Sequence, residues 1–285
     1  MSKLSTSIEL IKASAHVLKG NRKLIILPAI SGLLVLSLMA IFFLPGLLSG
    51  KTFGERGIFS SADTFIYFYL YFFAANTIII FFNSVLIKAA LANLKGEEIT
   101  LGECFASTFG KIGIIFGYAA ISSTVGLVLG LIRDKLGILG KIFAFIANLA
   151  WSIITYLAVP ILVNENVGPI EAIKRSAALV KKTWGENLIG NIGLGFLFTV
   201  IILVLAVILA PVVIFLAIKG KFAALIVTGV LFAVITIIIA LINSTLSAIY
   251  NAALYRFASE GIECGGFDRS LMEEAFVMKE KKNNW

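Results

Sequence analysis

Six long apolar runs dominate the pattern of hydrophobic and polar positions along the chain. Each run is free of Asp, Glu, Lys and Arg, and each is long enough for the helix of about 20 residues that crosses a bilayer. The runs are Leu24–Leu48, Thr64–Ile87, Ile112–Ile132, Ile142–Val163, Leu188–Ile218 and Phe222–Tyr255. The pattern therefore predicts an all-α membrane protein whose six transmembrane helices form three hairpins.

The polar stretches before the first and fifth runs carry a helical pattern of their own. Their apolar residues recur at three- and four-residue spacing, which is typical of an amphipathic helix. These residues are Leu4, Ile8, Ile11, Ala15 and Leu18 in one stretch and Ile170, Ile173, Ala177, Val180 and Trp184 in the other. Because basic residues lie mostly off these stripes, we expect both helices to lie in the plane of the membrane interface, on its cytoplasmic side.

The two amphipathic stretches are also copies of each other. IELIKASAHVLK (8–19) aligns without gaps on IEAIKRSAALVK (170–181), with seven of twelve positions identical. A fainter third copy is TLGECFASTFGK (100–111), where Thr100 and Glu103 predict a capping box at a helix start. We interpret the chain as three units, about 1–95, 96–163 and 164–260, followed by a cytoplasmic tail, 261–285. Each unit is predicted to be a short amphipathic helix followed by a hairpin.

The composition indicates a membrane protein, and the net charge indicates which kind of partner its polar segments contact. Of the 285 residues, 59% are hydrophobic and 14% are charged, whereas about 25% of residues in soluble domains are charged. The net charge of +8 would suggest nucleic acid in a soluble protein. In a membrane protein it indicates basic segments that stay in the cytoplasm and meet anionic lipid headgroups. The residues expected to contact headgroups are Lys12, Lys19, Arg22, Lys23, Lys174, Arg175, Lys181 and Lys182.

The basic residues also predict the orientation of the chain. If both termini are cytoplasmic, 17 of the 24 Lys and Arg residues lie inside and 7 lie outside. Positive residues in short loops stay preferentially on the cytoplasmic side. We therefore expect a multi-pass protein of a prokaryotic plasma membrane with both termini in the cytoplasm.

Two stretches resemble a known family. They are YLAVPILVNENVGPIEAIKRSAALVKKTWGENLIGN (156–191) and ALYRFASEGIECGGFD (253–268). Over nearly its whole length the chain resembles an uncharacterised prokaryotic integral membrane family, classed as a domain of unknown function. The element GPIEAIKRSAALVKKTWG is also similar, more weakly, to the membrane domain that accompanies some glycerophosphodiester phosphodiesterases. Neither resemblance implies catalytic residues, and the second implies a lipid context.

The sequence contains no constellation for catalysis or for a metal ion. Its two cysteines, Cys104 and Cys264, are far apart and His16 is its one histidine, whereas a zinc site needs three or four ligands. Charged residues inside membrane helices usually mark ion pathways and proton relays, and the six runs contain none. We therefore expect no enzymatic activity, no metal and no cofactor.

Asparagines and glycines inside the runs each allow two interpretations. The asparagines either line a polar path or headgroup pocket, or make interhelical hydrogen bonds of about 0.6–2 kcal/mol each, which we favour. The glycines, spaced four apart in pairs, let helices approach closely, either within the chain or between subunits. The residues concerned are Asn83, Asn148, Asn191, Asn243 and Asn251, and Gly113, Gly117, Gly126 and Gly130.

Three functions are compatible with these features. The first is a lipid-interacting protein that organises the membrane or serves another membrane system as an accessory, because the chain has basic amphipathic helices and no catalytic groups. The second is a channel or transporter for a small or amphipathic solute, which would use the repeat and the asparagines. The third, least favoured, is an enzyme acting on lipids. The expected partners are anionic membrane lipids and either a second copy or another membrane protein, without nucleic acid.

The orientation can be tested with a reporter fused after Trp285. We expect a fluorescent reporter that matures only in the cytoplasm to be active, and an alkaline phosphatase fused at the same position to be inactive. The physical reason is the excess of basic residues on that side. Activity of the phosphatase fusion in intact cells would contradict the orientation.

Overall fold

The computed structural model describes residues 3–48, 62–184 and 194–260, which are almost entirely helical and contain no strand. A 3-10 helix, Arg22–Ile25, leads from the first α-helix to the second. The predicted Asn191, Cys264 and the tail 261–285 lie outside the described residues. The ten described α-helices are α1 (Lys3–Gly20), α2 (Ile26–Leu48), α3 (Ala62–Lys95), α4 (Leu101–Phe109), α5 (Ile112–Lys135), α6 (Gly137–Ile154), α7 (Ala158–Asn164), α8 (Pro169–Trp184), α9 (Leu194–Ile218) and α10 (Phe222–Glu260).

Six helical segments of the described chain are long and apolar enough to cross a membrane. They are Arg22–Gly46, Phe65–Lys95, Ile112–Lys135, Gly137–Asn164, Phe198–Ile218 and Phe222–Glu260. Each overlaps one of the six apolar runs, so the prediction of six apolar helices is confirmed. Consecutive spans pack against each other, α2 on α3, α5 on α6 and α9 on α10.

The fourth apolar run is not one continuous helix. It forms α6 and α7, which a turn at residues 155–157 separates. Pro160 explains the position of this break, because proline has no N–H for the carbonyl four residues earlier, at Tyr156, and its ring crowds that carbonyl. By contrast, α9 continues as one helix through Pro211.

The core is concentrated where α7 meets the C-terminal halves of α3 and α10. Helix α3 packs against α2, α5, α7 and α10, and is the central helix of the bundle. Fully buried side chains come from all three of the meeting helices, including Ile87, Leu162 and Leu254. At this end of the bundle the helices are therefore held together by buried apolar side chains, as in the interior of a soluble protein.

The remaining apolar surface lies on the outside of the bundle. No residue in the most apolar part of Phe198–Ile218 is buried, and the same holds for the most apolar part of Phe222–Glu260. Large side chains such as Leu203 and Ile226 are more than 60% exposed. Soluble proteins rarely expose contiguous apolar surface on this scale. The exposed helices have the character of lipid-facing segments.

Three short helices cover the packed end of the bundle. Helix α4 packs on α3, α8 packs on α7, and α1 packs on α10. The start of α4 has the predicted capping box. The Glu103 N–H donates to Thr100 Oγ1 (3.2 Å), and the Thr100 N–H donates to Glu103 Oε2 (2.8 Å). These reciprocal bonds satisfy two of the free amides at the helix N-terminus.

The glycines of α5 differ in their surroundings. A Cβ atom at Gly117 would stand 2.9 Å from Cγ of Pro169, at the start of α8, whereas a Cβ atom at Gly113 or Gly126 would meet nothing within 4 Å. Gly130 is half-buried. At Gly117 the absence of a side chain therefore allows α5 and α8 to approach closely, within the chain.

We expect Gly117→Ala to destabilise the protein by about 1–3 kcal/mol, because the rigid proline ring must move to accept the new methyl group. Thermal unfolding of the purified protein in detergent measures the effect. The matched control, Gly126→Ala on the same helix, should be neutral or stabilising by about 0.5–1 kcal/mol, since alanine is the better helix former. Equal effects of the two substitutions would contradict the close contact.

Candidate functional site

A layer of polar contacts lies at the packed end of the bundle, and Lys111 is one of its anchors. Its ammonium group donates to the carbonyl oxygens of Leu162 (3.1 Å), Val163 (2.8 Å) and Glu165 (3.0 Å). These carbonyls belong to the C-terminal end of α7, where the backbone has no helical partners left. Lys111, which directly precedes α5, thus fixes the end of α7 to the start of α5.

The carboxylate of Glu165 connects α8 to α10. One of its oxygens accepts a hydrogen bond from the Tyr255 hydroxyl (3.0 Å), and the other pairs with the guanidinium of Arg175. Arg175 also contacts Glu171 one helical turn earlier (3.2 Å). The side-chain amide of Asn164 donates to the Tyr255 hydroxyl (3.0 Å). The segment that follows α7 is therefore bound by α8 through Arg175 and by α10 through Tyr255.

Arg256 binds a free carbonyl group at the C-terminal end of α3, as Lys111 does at the end of α7. Its Nη1 donates to the carbonyl oxygen of Leu94 (2.5 Å), and its Nε pairs with Glu260 (3.3 Å). Cations are favoured near helix C-termini, where the carbonyl groups carry partial negative charge. Lys111 directly precedes the third apolar run and Arg256 directly follows the sixth. Each binds free carbonyl groups at the C-terminal end of another helix.

A buried serine of α8 caps the N-terminal side of α7. The hydroxyl of Ser176 accepts a hydrogen bond from the Leu157 N–H (3.0 Å), and both residues are buried. Leu157 lies at the break between α6 and α7, where the backbone amide has lost its helical acceptor. The corresponding residue of α1, Ser14, is also buried, but its hydroxyl has no hydrogen-bond partner among the described residues.

All eight basic residues that the sequence assigned to headgroup contact are exposed. Those on α1 and in the adjoining 3-10 helix are Lys12, Lys19, Arg22 and Lys23; those on α8 are Lys174, Arg175, Lys181 and Lys182. Arg175 differs from the others because its guanidinium pairs with two carboxylates. Both α1 and α8 contact α10, so the two basic groups flank the same helix.

The buried face of α8 differs from the stripe that the sequence indicated. Ala172, Ser176 and Val180 are buried, whereas Ile170 is 63% exposed. Large apolar residues define a stripe in a sequence pattern, but small ones let a helix lie close to its neighbour. Here the short side chains of Ala172 and Ser176 face the bundle. The hydroxyl of Ser176 is needed there as an acceptor, which hydropathy alone does not reveal.

The predicted asparagines that the structure describes are dispersed. Asn148 donates to the Ala144 carbonyl of its own helix (2.8 Å), and Asn243 accepts from Ser247 of its own helix (3.3 Å). Asn83 is half-buried, and the buried Oδ1 of Asn251 has no hydrogen-bond partner in the part of the chain that the structure describes. Within the described residues, no hydrogen bond joins two of these asparagines. Asn76 of α3, by contrast, makes a hydrogen bond between two spans, donating to Ser123 of α5 (3.1 Å).

The described residues bring no three His, Cys, Asp or Glu side chains together as a group that could hold a metal ion. Cys104 of α4 is buried and not in a disulfide. Burial is the main cause that raises the pKa of its thiol, so the thiolate that reacts or binds metal is disfavoured.

Sequence reasoning missed most of the polar layer. Its members are ordinary boundary residues in the sequence, and their partners are distant: Lys111 lies 51 to 54 positions from its acceptors, and Tyr255 lies 90 from Glu165. One signal was available. Glu165 and Tyr255 fall in the two separate stretches that carry the family resemblance, and the structure places those stretches in contact.

The fold and this layer define an all-helical protein with six helices that could span a membrane. The chain belongs to a family of unknown function (DUF6159), which matches residues 62–266. No curated protein and no solved structure matches the chain. None of these comparisons supports the weaker resemblance to the membrane domain of glycerophosphodiester phosphodiesterases.

The cap made by Ser176 can be tested by substitution. Ser176→Ala leaves the buried Leu157 N–H without an acceptor, and we expect a loss of about 1–3 kcal/mol in the free energy of unfolding. The measurement is thermal or denaturant unfolding of the purified protein in detergent. Ser14→Ala is the matched control at the corresponding position of α1. It removes a buried hydroxyl that has no partner and should be neutral or stabilising. An equal loss in both variants would argue against the cap.

Proposed function

We propose that this protein is a lipid-interacting membrane protein that organises the bilayer around it or serves another membrane protein as an accessory. Its six spans would form three hairpins in a plasma membrane, with both termini in the cytoplasm. Helices α1 and α8 would lie in the plane of the cytoplasmic interface. There they would present their lysines to anionic lipid headgroups.

The observation that carries this proposal is the two-sided character of α1 and α8. Each buries small or apolar residues against the bundle, Leu18 on α1 and Val180 on α8 being examples. Five lysines are exposed and make no ion pair within the described residues: Lys12 and Lys19 on α1, and Lys174, Lys181 and Lys182 on α8. A helix that is anchored on one side and basic on the other can bind anionic headgroups without losing its place in the fold.

Similar exposure patterns support the idea that the units are repeats. Over residues 12–19 and 174–181, the exposure of aligned residues agrees at every position except one, where buried Ala13 corresponds to exposed Arg175. Packing follows a regular scheme as well. Each short helix contacts the last helix of the unit before it, α4 on α3 and α8 on α7, and α1 on α10 closes the ring. A ring of three units would place all three short helices on one side of the membrane.

The contacts of the asparagines favour helix packing over a solute path. Asn76 joins α3 to α5 through Ser123, as expected of a polar residue that stabilises a helix pair in lipid. Asn148 and Asn243 bond within their own helices. For this reason the lipid-interacting function is preferred here to a channel or transporter.

A charge-neutralised variant tests the proposed lipid contact. In Lys174→Gln/Lys181→Gln/Lys182→Gln, we expect the enrichment of phosphatidylglycerol over phosphatidylcholine around the protein to fall. Each lysine near an anionic surface contributes about 1 kcal/mol, or roughly fivefold. The measurement is mass spectrometry of the lipids retained after reconstitution from an equimolar mixture. Arg175 is left unchanged because its loss would leave Glu165 without its ion-pair partner.

The control for this experiment carries the same change in charge on the side predicted to be external. It is Lys135→Gln/Lys219→Gln/Lys221→Gln, and all three residues are exposed. We expect the control to keep more of the lipid preference than the α8 variant. If the α8 variant retains the enrichment of the wild-type protein, the headgroup role of α8 is wrong and only its packing role stands.

A further inference from the structure

A small cavity lies under α4, at the packed end of the bundle, between α3, α5 and α7. It is about 10 Å³ in size, and its wall contains Ser84 and Lys88 from α3, Ser107 and Thr108 from α4, and Lys111. The rest of the wall is apolar, formed by Ile114, Ile115, Leu162 and Val163. A space of this size holds about one water molecule or a single atom of a larger group.

Two hydroxyl groups in this wall are buried, and the described part of the chain offers them no hydrogen-bond partner. Ser84 has no exposed surface and Thr108 is 3% exposed, and neither Ser84 Oγ nor Thr108 Oγ1 makes a hydrogen bond among the described residues. Serine and threonine in helices often bond to the carbonyl four residues earlier, as Thr77 and Thr245 do in this protein. Ser84 and Thr108 do not, so both have a free donor at the cavity.

Two lysines contribute positive charge to the same space, and no Asp or Glu is among the described residues that line it. Lys88 makes no hydrogen bond or ion pair within the described residues, and Lys111 uses its three donors on the carbonyls that end α7. Burial, and then the charge of Lys88, lowers the pKa of Lys111. Two acidic groups of neighbouring segments are engaged elsewhere: Glu103 caps α4, and the carboxylate of Glu165 contacts Arg175 and Tyr255.

The first turn of α5 adjoins the cavity through Ile114 and Ile115. A helix N-terminus carries partial positive charge and favours an anion. An apolar wall strengthens electrostatic interactions because it lowers the local dielectric. The C-terminal ends of α4 and α7 also line the cavity and carry the opposite partial charge. The preference for an anion therefore rests on the lysine charge and the two hydroxyl donors.

From this arrangement we propose that the cavity is a binding site for a phosphate group. One phosphate oxygen would enter between Ser84, Thr108 and Lys88, and the rest of the group would remain at the mouth, because the cavity is too small for a whole phosphate. The source of the group is either a phospholipid headgroup or free inorganic phosphate. The site lies at the ends of the spans, at the level expected for headgroups. The proposal deepens the lipid-interacting function and rests on it for the lipid source.

The experiment uses the full chain and two probes. The first probe is inorganic phosphate, tested as the shift of the unfolding temperature in detergent relative to sodium chloride at equal ionic strength. The second is phosphatidic acid, tested by native mass spectrometry as lipid retained, relative to a phosphate-free diacyl glycolipid. A response to inorganic phosphate identifies the free anion as a ligand, and retention of phosphatidic acid with no response to inorganic phosphate identifies the headgroup.

Two variants alter the site and one serves as the control. Lys88→Met removes the unpaired charge, and we expect affinity to fall by about ten- to a hundredfold. Thr108→Val removes one donor, and we expect a loss of about two- to tenfold. The control, Lys95→Met, lies on the same helix, is exposed and does not line the cavity, so its binding should equal that of the wild-type protein.

Folding is checked separately from binding. Without ligand, Thr108→Val should unfold at or above the temperature of the wild-type protein, since it removes a buried hydroxyl that lacks a partner. This variant remains informative if Lys88→Met fails to fold. If Thr108→Val and Lys88→Met bind both probes as tightly as Lys95→Met, the cavity holds water alone and the proposal is overturned. The lysines of α8 are intact in these variants, so such a failure leaves the lipid preference of that helix untouched.

Discussion

Helix ends that are buried where water is scarce must find partners for their free carbonyl and amide groups. This constraint organises the packed end of the protein. Lys111 donates hydrogen bonds to carbonyl oxygens at the C-terminal end of α7, and Arg256 donates to one at the C-terminal end of α3. The hydroxyl of Ser176 accepts a hydrogen bond from the Leu157 amide, which has no helical acceptor at the break before α7. Each partner comes from a different part of the chain. The hydrogen bonds that satisfy these backbone groups therefore also connect helices that are distant in sequence. The core of α3, α7 and α10 lies beside these contacts.

The same constraint explains why charged residues lie at the ends of the bundle while the surfaces of the spans are apolar. A cation that binds helix carbonyls is satisfied at the membrane boundary and would be costly within the spans. Lysines not needed for capping remain exposed on α1 and α8. One arrangement thus serves stability and, in the proposed function, contact with anionic lipids. The wall of the cavity beneath α4 contains one lysine of each kind. Lys111 caps the C-terminal end of α7, whereas Lys88 has no partner within the described residues.

The limits of sequence reasoning are clearest on α8. Hydrophobic periodicity predicted a helix, and α8 spans Pro169–Trp184, but the predicted stripe included Ile170, which is 63% exposed. Periodicity ranks residues by hydropathy, whereas close packing against α7 requires small residues and, at Ser176, an acceptor for the Leu157 amide. The capping box of α4 was predicted correctly because its two residues are three positions apart and form a complete local structure.

The sequence by itself determined the six apolar helices and the start of α4, because hydropathy and capping are properties of neighbouring residues. It also identified the two similar amphipathic stretches and the family resemblance. The partners of Lys111, Glu165 and Arg256 were decided only by the tertiary structure, as was the gathering of Ser84, Lys88 and Thr108 around one cavity. Such contacts depend on how the helix ends are arranged in the folded protein. The pattern of residues along a single chain contains no information on the distances between its segments.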